Sequence, residues 1–175
     1  MVWQGSNAAF SSHTRNVGNS WETGSVALTD DDNGSAMFNE QNLTPGDAGS
    51  KCIVVTASSS VPGVVKFHLD DLAANGLEDY IQFKMEMGTG GSFGDCTGFV
   101  PTAIHDFEPL ALQVTQHTDY TNSILPWTTT GVASGESMSY RFSWAFDVGL
   151  MDQNGINALQ GTAASVNLEW ELQNT

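Results

Sequence analysis

Ser137-Met138-Ser139-Tyr140-Arg141-Phe142-Ser143-Trp144-Ala145-Phe146-Asp147-Val148 is the stretch that decides the fold. Met138, Tyr140, Phe142, Trp144 and Phe146 share one face of it, the two-residue period of a half-buried strand. Working outward, residues 80–87 repeat the pattern, with Ile81, Phe83, Met85 and Met87 set against Tyr80, Gln82, Lys84 and Glu86. After Val64, the positions Val65, Phe67 and Leu69 alternate in the same way, with His68 on the opposite, solvated face. Near the end, Val166, Leu168, Trp170 and Leu172 oppose Asn167, Glu169 and Glu171. Shorter strands are expected at 25–29, 36–39, 52–56 and 111–115. Asp32-Asn33-Gly34 predicts a tight hairpin turn between the first two of these. Pro45-Gly46-Asp47 and residues 88–94 read as turns or loops. Helical patterning is confined to 69–79 and 151–159, interrupted by Asn75-Gly76 and Asn154-Gly155. Many alternating strands with little helix specify an all-β fold, a two-sheet antiparallel β-sandwich with one or two short helices in its connections.

The chain has 175 residues, a length suited to one domain. Twenty acidic residues against five basic ones give a formal charge of −15. Such a surface repels nucleic acid and anionic membranes, so neither is expected as a partner. No apolar run reaches the roughly 18 residues that would span a bilayer. The first residues carry neither the basic nor the apolar region of an export signal, so export would imply a leader already removed. Cys52 and Cys96 are in no metal-binding spacing. In a chain rich in Thr, Ser and Gly and poor in Lys they suit one disulfide in an oxidising compartment; the alternative is two separate buried thiols.

Several phrases stand in a fixed order through the chain. They are Gly18-Asn19-Ser20-Trp21 with Thr23-Gly24, Leu28-Thr29-Asp30-Asp31-Asp32, and Leu43-Thr44-Pro45-Gly46-Asp47 with Gly49. Gly88-Thr89-Gly90-Gly91-Ser92-Phe93-Gly94-Asp95-Cys96 follows, then Gly135-Glu136 leading to Tyr140-Arg141-Phe142, and Gln160-Gly161-Thr162-Ala163-Ala164 before Trp170-Glu171. In this order the chain resembles the TasA/camelysin family of exported bacterial proteins, in a disulfide-bearing version like that of actinobacteria. The resemblance runs from about residue 8 to the C-terminus. It implies a jelly-roll sandwich, secretion to the cell surface or biofilm matrix, and a structural, non-enzymatic role in extracellular fibres. The partners implied are copies of the same chain, joined head to tail by donor-strand exchange, with an anchor or minor fibre subunit as a further candidate. On this reading residues 1–16 are the donor segment and 17–175 the sandwich domain.

Residues 4–16 are mostly small and polar, with Ala8, Ala9 and Phe10 as their apolar cluster. Too poor for a core element, such a segment suits an extended strand laid on a sheet edge, and Ala8, Ala9 and Phe10 are the expected donor contacts. The plain alternative is a frayed terminus.

The same family includes camelysin, described as a surface metalloendopeptidase, and this is the second function implied. The residues support it poorly, since there is no HExxH. Of the histidines His13, His68, His105 and His117, nothing keeps His105 and His117 from converging with Asp106 and Glu108. There is no G-x-S-x-G elbow, and no phosphate-binding lysine follows the glycines at 88–91.

No cofactor is required, and calcium is the ion to consider. Asp30 and Asp32, spaced as Asp30-x-Asp32-x-Gly34, offer oxygen ligands before a glycine turn. The distal acid is missing, since position 41 is Gln, and Asp47 and Asp95 are the other possible donors. An acidic hairpin turn explains the same residues without an ion. A third reading is a carbohydrate-binding sandwich, for which Trp127, beside Pro126, would be the exposed stacking residue while Trp144 and Trp170 serve the core.

Overall fold

The computed structural model describes residues 11–13 and 25–175. Its elements are β1 (Ser11–His13), β2 (Val26–Asp30), β3 (Ala48–Ser59), β4 (Gly63–Ala73), β5 (Ile81–Thr89), β6 (Val100–Pro109), α1 (Leu110–Gln116), β7 (Ile124–Thr129), β8 (Glu136–Phe146), α2 (Gln153–Ala158) and β9 (Ser165–Asn174). They form two sheets, ordered β1-β9-β4-β7 and β2-β3-β8-β5-β6. All strand pairings are antiparallel. Among the described strands, only β2–β3 and β5–β6 are consecutive strands paired within one sheet; the other connections cross between sheets. The protein is an all-β sandwich.

The alternating faces meet between the sheets. Val65, Phe67 and Leu69 of β4 are fully buried, as are Tyr140 and Phe142 of β8. Phe67 lies 5.1 Å from the Phe142 ring and 5.3 Å from that of Trp170. This aromatic cluster pins the two sheets face to face. On the outer face of the five-stranded sheet, Glu86 is buried as well and is gripped by Arg141 from β8, directly opposite it.

Three local expectations are corrected. Asn33 and Gly34 do take left-handed backbone angles (φ 53° and 78°), but residues 36–39 form no strand. The neighbour of β2 is β3, and Met37 is buried while Phe38 sets its ring edge-on 6.3 Å from Phe83. Residues 111–115 lie in α1, not in a strand. The helical turn brings Leu110 and Gln113 to one buried face, where the Gln113 amide donates to the carbonyls of Phe83 and Glu108. Finally, 69–79 is no helix: β4 runs to Ala73 through a register shift after Asp70, with Asp71 at φ 52°. The helix expected within 151–159 is α2, whose first turn is capped by Asp152 accepting from the Gly155 N–H.

Candidate functional site

β9 pairs with a strand on each of its two edges. Its inner edge pairs with β4 from Ser165 to Asn174. Its outer edge pairs with β1 over three residues, Ser11 to Gln173, Ser12 to Leu172 and His13 to Glu171. Among the described residues, no strand lies beside the outer edge of 165–170. Along this stretch runs a cleft of about 1230 Å³, bounded on one side by residues 35–45 and on the other by residues 159–170. Its floor is apolar, made by Ile53, Phe83, Trp144 and Phe146 of the five-stranded sheet. Leu159, Val166 and Leu168 are only partly buried against the core. A half-covered strand edge above an apolar floor is what an added strand needs: backbone partners for its amides and pockets for alternate side chains.

Asp30 lies in the wall of this cleft. Burial, then its hydrogen bond and proximity to Asp32, push its carboxyl up to about 6. Its Oδ1 accepts the Asp32 N–H at 3.3 Å, and Asp32 Oδ1 accepts the Gly34 N–H at 2.6 Å. Asp47 is engaged by Thr44 and Asp95 by Thr97, each within its own turn. Among the described residues, no group of three His, Cys, Asp or Glu has a metal-holding arrangement. Ala8, Ala9 and Phe10 lie outside the described residues, as does most of the 1–16 segment.

Cys52 and Cys96 form a disulfide, with Cys52 fully buried on β3. The loop leading to Cys96 is fixed by the Gly94 N–H donating to the Cys52 carbonyl. Asp31, which sequence reasoning treated only as part of an acidic turn, is the clamp here. Its Oδ1 accepts the Val54 N–H and its Oδ2 the Phe93 N–H, both at 2.8 Å, joining the end of β2 to β3 and to the disulfide loop. Both contacts are remote in sequence, and the three consecutive aspartates gave no signal to single out the middle one.

Two side chains expected at the surface are inside. His68 is 4% exposed because the loop after α1 folds over the polar face of β4: Lys66 donates to the Tyr120 carbonyl, the Tyr120 hydroxyl donates to the Val64 carbonyl, and the Leu69 N–H donates to the His117 carbonyl. The His68 Nε2 lies 3.6 Å from Glu169. Trp127 faces inward from β7, opposite Val65, and is 8% exposed, so it offers no stacking platform. Trp144 and Trp170 are in the core as expected. The histidine pair does converge: the rings of His105 and His117 meet edge-on, 5.0 Å apart, with Glu108 3.9 Å from His105.

No known family model matches the chain, and no curated protein matches it in sequence. Among the described residues no helix is long and apolar enough to cross a membrane.

Proposed function

We propose that this protein is a structural subunit of extracellular filaments, of the kind the TasA/camelysin resemblance implies, that polymerises by donating its N-terminal strand to the next copy. The observation that carries the reading is the outer edge of β9, which among the described residues is covered by β1 over three residues and beside which the apolar cleft runs. The β1–β9 bonds are made within one chain; the same bonds made between chains give a head-to-tail contact, which does not close and so propagates. The strand order, with its repeated crossings between sheets, supports the jelly-roll reading. The Cys52–Cys96 disulfide supports an oxidising, extracellular setting.

Negative-stain electron microscopy of the full chain beside a variant lacking residues 2–12 tests this. Filaments from the first and monomers from the second are expected. A variant carrying S11C and Q173C, oxidised and run without reductant, should then give a covalent ladder. Polymerisation in neither form at any calcium level, or equally in both, would overturn the reading; so would a crosslink found only within single chains taken from filaments.

A further inference from the structure

His105 and His117 are brought together by the turn from β6 into α1. His105 is in β6 opposite Met85, and His117 caps the end of α1. His117 is fixed at three points: its N–H donates to the Gln113 carbonyl, its carbonyl accepts the Leu69 N–H, and its Nδ1 lies 2.8 Å from the Asn122 carbonyl oxygen. A carbonyl only accepts, so the proton of the neutral ring is on Nδ1 and Nε2 presents a lone pair. That Nε2 is shielded from solvent and has no hydrogen-bond partner, and the same is true of His105 Nε2 and Glu108 Oε2. Two facing imidazole rings whose shielded Nε2 atoms lack hydrogen-bond partners are a costly arrangement unless something joins them.

We propose that His105 and His117 bind one borderline transition-metal ion, such as Zn²⁺, through their Nε2 atoms. Ring separation fits this. Two imidazoles held at about 2.0–2.1 Å on a tetrahedral ion place their centroids about 5 Å apart, and the observed separation is 5.0 Å. The Nδ1–H to carbonyl bond of His117 is the usual outer support of a ligating histidine, fixing tautomer and orientation. Nitrogen donors select zinc or copper over calcium, which separates this site from the aspartate turn at 30–34. Protein ligation is by the two rings, since no third side chain has converged with them among the described residues; water fills the remaining positions, with Glu108 beside them.

The test is ZnCl₂ titration of the untagged full chain by calorimetry, together with zinc-edge X-ray absorption. One equivalent bound through two imidazoles is expected in the parent. H105Q and H117Q should each weaken that binding by more than about tenfold, while D32N leaves it unchanged. An oxygen-only zinc shell, an absence of binding, or binding by H105Q and H117Q as tight as the parent's would overturn the proposal. The absorption spectrum of the parent needs no variant to fold, and none of these readouts depends on filament formation.

Discussion

Replacing Arg141 by Met strands a buried carboxylate. Glu86 has a side chain 2% exposed, and Arg141 forks onto it with Nε–Oε2 at 2.6 Å and Nη2–Oε1 at 2.9 Å. Lys84 Nζ stands 3.4 Å from Oε1, and the guanidinium itself lies over the Phe99 ring at 4.9 Å. Breaking a buried ion pair from one side costs about 3–5 kcal/mol. Here Lys84 stays on one oxygen and Arg141 is 30% exposed, which lowers the expected cost of R141M to about 2–3 kcal/mol. For a chain of this size that is a fall in Tm of about 4–12 °C. The double variant E86L/R141M should recover much of it, because no charge is then left buried. The Arg141 hydrogen bonds hold the Glu86 pKa below its ordinary 4.5 against burial, with the charges of Arg141 and Lys84 assisting. A carboxyl with a lowered folded pKa stabilises above its unfolded value and loses that contribution as pH falls through the folded one. The deficit of R141M should therefore be full at neutral pH and narrow below about 4.5. Urea unfolding of the parent, both single variants and the double one across this range measures all of it. A cost for R141M under about 0.5 kcal/mol, or a deficit that does not change with pH, would refute the reasoning.

Two further perturbations probe the sheet edge and the cleft. An alanine at Gly88 would set its Cβ 2.0 Å from the Val100 carbonyl oxygen, a backbone atom that moves only if β6 moves; G88A should cost about 1–3 kcal/mol and speed amide exchange at the start of β6, and unchanged exchange there would count against the close approach. The raised pKa of Asp30 means that the folded state holds the extra proton between 3.8 and about 6, so stability falls as pH climbs through that window. D30N removes the penalty and should be more stable than the parent at neutral pH by about 1 kcal/mol, allowing for solvent screening of a half-exposed group, with the difference vanishing near pH 4; equal stabilities at neutral pH would contradict the assigned cause.

The two-residue period carried the architecture. The aromatic face of 138–146 and the inner faces of β4, β5 and β9 were legible, because burial between two sheets imposes alternation on each strand independently. Cys52 and Cys96 were legible as a pair by composition alone. What escaped was decided by neighbours distant in sequence. Residues 111–115 coil into α1, whose turn puts Leu110 and Gln113 on one buried face where the Gln113 amide reaches two carbonyls of β5 and β6. His68 and Glu86 sit on faces that read as polar, yet a loop covers one and Arg141 neutralises the other.

The sequence by itself determined that this is a two-sheet β protein with an aromatic core and a strongly acidic exterior, since periodicity and charge are local or additive properties. Only the tertiary structure decided that β9 takes β1 on its outer edge beside an apolar cleft, that Asp31 ties three segments together, and that His105 and His117 face each other. Each of these depends on which strands become neighbours, and strand order is set by the packing of the whole sandwich, which no window of sequence contains.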